Sequence, residues 1–289
     1  MDKKQKLNES LANTLGVVVI VFSIIVAYFI YSQILGNPDN FIDGDPNNQP
    51  KEGHYLGTIY KGGKIIILQI SFMIILLTYA IERGFSLFKA KGKKSSKEFA
   101  DIIKQNLAAN SLDSALESCN TQKGAVANVV YKGLNSYMNE AAQDLRPEEK
   151  AYQIKRDLEE ATTLEVPDLE KNMIIISTIA SVATLVGLLG TVTGMIQAFS
   201  ALAIAGTPDA VGLAGGISQA LITTALGIST SAVAIVIYNF YTTMIDNITY
   251  AMDETNYAIL NHYKQSVQIS EPDPITPLTS ESEEKEGNV

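Results

Sequence analysis

Residues 187–227 read GLLGTVTGMIQAFSALAIAGTPDAVGLAGGISQALITTALG. Two apolar runs flank a Gly-Thr-Pro-Asp turn, and Asp209 is the only charged side chain in the stretch. Followed outward, the uncharged runs reach from Met173 to Pro208 and from Ala210 to Ile245. A helix needs about 20 apolar residues to cross the ~30 Å hydrocarbon core of a bilayer, so each run exceeds one span. At about 1.5 Å rise per residue each would reach roughly 50 Å. Tilt absorbs part of that excess; the rest is expected to project into water or to be covered by neighbouring subunits.

Two further stretches, Leu11 to Pro38 and Ile65 to Ile81, also lack any charged side chain. The second is short for a span, and Lys64, Glu82 and Arg83 at its ends are expected to snorkel to the interface. The expected fold is therefore all-α: a polytopic membrane protein with four transmembrane helices and long helices extending into the cytoplasm, an oligomeric helical bundle. Lysines set the orientation. Lys3, Lys4 and Lys6 precede the first span, and Arg83, Lys89, Lys91, Lys93, Lys94 and Lys97 follow the second. Both flanks, and with four spans both termini, are expected in the cytoplasm of a bacterium, the chain sitting in the inner membrane. The first apolar run is long for the core of a cleaved leader and no A-x-A site follows it, which favours a retained anchor.

The layout follows: an N-terminal anchor over 1–35, a periplasmic loop over 36–64 rich in Pro, Gly, Asn and Asp, and a second transmembrane helix over 65–84. A cytoplasmic helical segment fills 85–172. Within it Phe99, Ile102, Ile103 and Leu107 keep helical spacing, and EEKAYQIKRDLEEATTLE forms a charged helix that reads as a solvated face. Such a segment is expected to continue the membrane bundle rather than build a large core. Paired pore-lining helices occupy 173–245 and a cytoplasmic helical extension 246–270. Residues 271–289, with six acids, one lysine and three prolines, read as a disordered acidic tail. The net charge of −9 is thus unevenly spread.

At 100° per residue, Ala183, Gly187, Gly190, Gly194 and Ala198 fall on one narrow seam of the third span. Gly216, Ala220, Thr224, Gly227, Ser231 and Ala234 form a stripe on the fourth, flanked by Gln219, Thr223 and Thr230. Small residues let helix backbones approach where lipid offers little hydrophobic drive to pair them. An amide facing lipid is costly unless paired, so the polar arc should face protein or water. Two readings fit: helix packing alone, with hydroxyls bonded to carbonyls one turn back, or a lined pathway.

Charge is absent from both helices, whereas ion paths in membranes normally contain a titratable group. If the chain conducts, the proton carrier belongs to another polypeptide. A single cysteine, Cys119, excludes an internal disulfide, and His54 and His262 lie far apart with no ligand-like neighbours. No metal or cofactor is expected, and no nucleophile–base pair or phosphate loop suggests an enzyme or a nucleic-acid partner.

ISTIASVATLVGLLGTVTGMIQAF followed by GGISQALITTALGISTSAVAIVIYNF resembles the signature helices of the MotA/TolQ/ExbB proton-channel family, on its ExbB/TolQ side, across roughly residues 173–240. IERGFSLFKA, after the second span, resembles the start of that family's cytoplasmic segment. The resemblance implies a homopentamer around two single-span ExbD- or TolR-type helices, each carrying a membrane aspartate. It further implies that proton passage past that aspartate rotates one component inside the other, and that the motion is passed to a TonB- or Tol-type periplasmic protein. By position, Thr191 in GLLGTVTG and Thr224 in ALITTALG match the threonines assigned to the proton pathway, with Thr223 and Gln219 beside them. Tyr238 and Asn239 match the pair closing the fourth helix. Gln219 stands where many members have glutamate, and Val233 where a proline occurs, which implies a straighter helix. The extra N-terminal span lies outside the family's three-span plan. A structural scaffold of an envelope, secretion or gliding complex, or a flagellar-type stator, are the competing readings.

Overall fold

A computed structural model describes residues 3–141, 145–204 and 209–267. The acidic tail expected over 271–289 lies outside the described residues, as does most of the turn before Asp209. Among the described residues the chain is helical, with no strand beyond one isolated bridge between Phe41 and Pro50. Helix α1 spans Lys3–Phe29, α2 Tyr55–Tyr60, α3 Ile65–Lys91, α4 Ser96–Ala108, α5 Leu112–Gln122 and α6 Ala125–Ala141. Then come α7, Pro147–Glu170, α8, Met173–Ile204, and α9, Ala210–Ser266. Four of them, α1, α3, α8 and α9, are long and apolar enough to cross a bilayer. The chain is an all-α polytopic membrane protein.

The chain forms two compact units, the described residues of Met1–Ala90 with Pro167–Asp246, and those of Lys91–Val166 with Asn247–Val289. In the first, α8 and α9 run antiparallel with their backbones nearly touching. A Cβ added to Gly216 would stand 2.5 Å from the Ala198 nitrogen, one on Gly194 would stand 2.7 Å from the Gly216 oxygen, and one on Gly227 would stand 2.7 Å from the Ala183 oxygen. Gly190 faces the side chain of Thr223 with no room for a methyl group. The Ser231 hydroxyl donates to the Ala180 carbonyl, extending the same register toward the start of α8.

Helix α3 packs on this pair through one stripe, Ile66, Gln69, Leu76, Ala80, Arg83 and Leu87, all buried. On another face Tyr79 meets α1, where a Cβ on Gly16 would lie 3.6 Å from its hydroxyl. Most of α1 stays uncovered: Val17, Val21, Phe22, Ile25 and Tyr28 are exposed, as suits a helix bathed in lipid. It ends in a π-helical turn, Ile30–Leu35, where Gly36 N–H reaches back to the Tyr31 carbonyl at 2.9 Å.

Composition marks the α1–α3 connection only as loop, yet it folds tightly. Phe41 is fully buried, Tyr60 stacks on Tyr31 at 4.6 Å, and the Lys61 ammonium donates to the Pro46 and Asn47 carbonyls, both at 2.9 Å. Aromatic residues at 31, 41 and 60 supply a core that the polar majority hides from a compositional reading.

The second unit buries more than its charged helix suggests. Phe99, Ile103 and Leu107 of α4, Val129, Val130 and Leu134 of α6, and Ile154 and Leu158 of α7 join Ile248, Met252 and Ile259 of α9 in its interior. Helix α7 contributes an apolar stripe while α4 and α6 bring most of the volume, so this segment has a core of its own. Lys104 pairs with Glu254 at 2.5 Å, and Asn256 donates to Thr162 at 3.0 Å.

Two outcomes follow from this packing. Gly216→Ala drives a methyl group into backbone and should lower stability by about 1–3 kcal/mol. Gly215→Ala, with nothing within 4 Å of the added carbon, should instead be neutral or gain up to about 1 kcal/mol of helix propensity. Thermal unfolding in detergent separates the two. Cys119 is buried, and burial pushes its thiol up to about 12. Because the thiolate is the reactive form, maleimide near neutral pH should label this residue only after unfolding; rapid labelling of the native protein would contradict the packing.

Candidate functional site: the α8–α9 seam and its polar arc

The seam is set by residue size. From Ala183 to the end of α8 the buried positions are Ala183, Gly187, Gly190, Gly194 and Ala198. On α9, between Gly216 and Ala234, they are Gly216, Ala220, Thr223, Gly227, Thr230, Ser231 and Ala234. The α8 set is the small-residue seam of the sequence. The α9 set differs in one respect: Thr223 and Thr230, on the flank of the expected stripe, lie in its buried centre, while Thr224 is only half-buried. The shift follows from the antiparallel register, which sets Gly190 directly against Thr223.

The structure separates the four pathway candidates. Thr191 is half-buried and turns outward, its hydroxyl donating to the Leu188 carbonyl at 2.6 Å. It sits at the edge of an open hollow of about 690 Å³ lined by Thr191, Val192, Met195, Ile196, Phe199 and Ser200. Thr224 turns into the seam, where its hydroxyl reaches the Gly187 carbonyl at 3.3 Å and the Ala220 carbonyl at 3.1 Å. Thr223 is wholly buried, and its hydroxyl is shared between the Gln219 and Ala220 carbonyls, both at 3.0 Å. Gln219 is half-buried against the end of the α1–α3 connection. A Cβ on Gly63 would lie 3.1 Å from its amide nitrogen, and Gly63 itself holds φ at +75, so only glycine fits there without strain.

Three features of this region escape a reading of the sequence by charge and small-residue spacing. Gln69 of α3 is 2% exposed and donates to the Thr223 carbonyl at 2.6 Å. Its signal is a lone amide in an otherwise apolar span, which needs a partner. Arg83 is not snorkelling but 2% exposed. It is paired with Glu82 and donates to the Asp168 carbonyl at 3.3 Å, while Asn172 (φ 61), between α7 and α8, donates to Glu82 at 3.2 Å. The third is Tyr241, whose hydroxyl donates to the Ala80 carbonyl at 2.5 Å. The neighbouring Tyr238 and Asn239 are less enclosed, half-buried and exposed.

Among the described residues no group of three His, Cys, Asp or Glu side chains is placed to hold a metal ion. Helices α8 and α9 thus present hydroxyls, amides and backbone carbonyls across a seam without one carboxylate between Met173 and Pro208 or between Ala210 and Ile245. Residues 121–254 match the profile of the MotA/TolQ/ExbB proton channel family, a range that takes in α8 and the part of α9 that forms the seam. That match, with the relatives below, supports the family.

The relatives support the ExbB/TolQ branch. The chain is 30% identical over 179 residues to the biopolymer transport protein ExbB of Pseudomonas putida, covering 62% of this chain and 53% of that protein. A putative ExbB-like protein of Synechocystis is 36% identical over 86 residues, covering 29% of this chain and 41% of the relative. The Tol-Pal system protein TolQ of Haemophilus influenzae is 29% identical over 178 residues, covering 61% and 76%. The chain therefore spans about half the length of the first two relatives. With four apolar helices and such relatives it is an inner-membrane protein.

The Glu82–Arg83 pair makes an asymmetric prediction. Arg83 has side-chain exposure of 3% and Glu82 of 43%. Removing the acid strands a buried cation, which should cost about 3–5 kcal/mol. Removing the cation leaves an acid that water can reach. Glu82→Ala should thus lower the unfolding temperature more than Arg83→Met, and the reverse order would refute the assignment.

Proposed function

We propose that this chain is the ring-forming subunit of an inner-membrane motor driven by the proton-motive force. It surrounds the single-span helices of an ExbD- or TolR-type protein, which supplies the membrane aspartate, and energises outer-membrane transport or envelope work through a TonB- or Tol-type periplasmic protein. A pentamer is the expected ring, with both termini cytoplasmic. The chain performs no covalent chemistry of its own. The observation that carries the reading is the seam itself, in a chain that matches this family: two long helices locked backbone to backbone, carrying hydroxyls and amides but no ionisable group.

Magnitudes support a supplied acid. A charged aspartate at mid-bilayer costs about 2.5–3.5 kcal/mol on insertion scales, and one interhelical side-chain hydrogen bond returns about 0.6 kcal/mol on average. One threonine cannot hold it ionised; several hydroxyls with water can, or the acid stays protonated until it meets them. A proton crossing the potential releases about 2.3 kcal/mol per 100 mV, which matches barriers of that size. A modest polar lining is then enough to gate the step.

A second reading, a structural scaffold, draws on one specific observation. Thr224 spends its hydroxyl on carbonyls within the seam, as packing alone requires. The two readings part on one experiment. Thr191→Val with Thr224→Val should leave the mass of the purified assembly unchanged but abolish proton-dependent work, measured as proton flux into vesicles carrying the chain with its single-span partner. Unchanged flux would leave the scaffold. Loss of assembly in Gly190→Leu with silent hydroxyl deletions would point the same way.

A further inference from the structure

Helix α3 carries an apolar face that outlasts its uncharged run. Leu77, Ile81, Phe85 and Phe88 follow one another at spacings of four, four and three, all exposed along one side of the helix. The buried positions Leu76, Ala80, Arg83 and Leu87 fall on another side. Two exposed phenylalanines thus lie beyond the first charged residues of the span.

Length decides what this face meets. From Ile65 to Ile81 the helix rises only about 24 Å at about 1.5 Å per residue, short of the ~30 Å hydrocarbon core. Continuing to Phe85 brings the rise to about 30 Å, and Phe88 lies nearly one turn further. Glu82 and Arg83 do not interrupt the face. Arg83 is turned into the protein. Both Glu82 oxygens accept hydrogen bonds, Oε1 from the Arg83 guanidinium and Oε2 from Arg83 Nε at 2.7 Å and Asn172 at 3.2 Å. The pair sits about one turn from the boundary, where the exposed edge of Glu82 still reaches interfacial water.

Charge then changes abruptly. Lys89, Lys91, Lys93, Lys94 and Lys97 follow Phe88 with no acid among them. At 100° per residue Lys89 and Lys91 flank Phe88 on either side. Among the described residues Lys94 pairs with Glu98 at 2.9 Å, and the other four have no acid within ion-pair distance. The turn that follows Lys91 is held firmly. Gln122, 3% exposed, donates to the Lys91 and Lys94 carbonyls at 3.1 and 3.0 Å and accepts the Lys94 N–H at 2.9 Å. The Lys93 N–H goes to the Gln122 carbonyl at 3.0 Å. Gly92 holds φ at +79 with the Lys123 carbonyl where a Cβ would stand, so only glycine makes this turn without strain.

We propose that this end of α3 is a docking site for an anionic phospholipid, its acyl chains lying along Phe85 and Phe88 and its phosphate met by Lys89, Lys91 and Lys93. An apolar face followed by cations without acidic partners repeats the order of acyl chain and headgroup in such a lipid. The site needs only the bilayer, and it stands whether or not the chain works as a motor subunit.

The chain has no tryptophan, so Phe85→Trp and Phe88→Trp each place a single fluorophore on the face. In the full chain reconstituted in phosphatidylcholine vesicles, emission of either variant should be blue-shifted and quenched by lipids brominated on the acyl chain, most by bromines near the glycerol end. Red-shifted emission quenched by aqueous iodide puts the face in water. Blue-shifted emission untouched by brominated lipid puts a second copy or another protein on it. Either result overturns the proposal. The same reporter reads the headgroup. Brominated phosphatidylglycerol diluted in plain phosphatidylcholine should quench Phe85→Trp as though enriched at least about fivefold, the weight of one lysine, about 1 kcal/mol, at an anionic surface. Salt should weaken that preference. Adding Lys89→Gln, Lys91→Gln and Lys93→Gln should abolish it, with acyl-chain quenching in phosphatidylcholine unchanged. Equal quenching by the two lipids while the lysines are intact overturns the headgroup site, however the triple variant folds. A preference that survives the three substitutions overturns its assignment to these lysines.

Discussion

Gly194 and Gly216 bring the backbones of α8 and α9 so near that a methyl group on either would stand within 2.7 Å of the other's carbonyl oxygen. In lipid this closeness substitutes for a hydrophobic drive, because apolar surface gains little by leaving acyl chains for another helix. Dispersion across a close backbone contact and hydroxyl bonds such as Ser231 to Ala180 remain available. The placing of polar side chains along the seam depends on that contact. It fixes which face of α9 is left for α3, and it sets Gly190 against Thr223 so that this threonine cannot turn outward.

Helix α3 adds the polar rungs. Gln69 and Arg83 sit on one buried stripe, about four helical turns apart, and each ends on a backbone carbonyl of another helix. Tyr241 returns the gesture from α9 to the Ala80 carbonyl. Carbonyl oxygens have a second lone pair free even inside a helical ladder, so these side chains can cross-link helices without breaking them. Gly84 leaves the space for Tyr241: a Cβ there would stand 3.0 Å from its hydroxyl. A stripe that reads as ordinary apolar packing therefore carries directional bonds near both of its ends.

Much of this was legible in the sequence, for a physical reason. The spans follow from length and the absence of charge, and the seam of α8 from glycine and alanine at helical spacing, since both properties are local. The centre of the α9 stripe was not, because Thr223 and Thr224 differ by 100° and only the register with Gly190 decides which is enclosed. Arg83 was misread as snorkelling for a related reason. Its burial depends on the Asp168–Asn172 junction, eighty-five residues away in the chain at its nearest bond, and no local pattern announces such a partner. The knot around Phe41 was hidden in the same way, its aromatic partners at 31 and 60 lying outside any periodic window.

The choice of amides over carboxylates has a consequence of its own. Gln69 and Gln219 keep the same donors and acceptors at every pH, whereas a glutamate at either place would gain or lose a charge as its surroundings changed. A framework that must hold its shape on both sides of a proton gradient is best built from groups that do not titrate. Hydroxyls, amides and backbone carbonyls meet that requirement, and the seam contains nothing else that is polar. In the proposed motor, titration would be concentrated in the acid that the single-span partner brings to the framework, so that a change in protonation would move that acid relative to the walls instead of loosening the walls themselves.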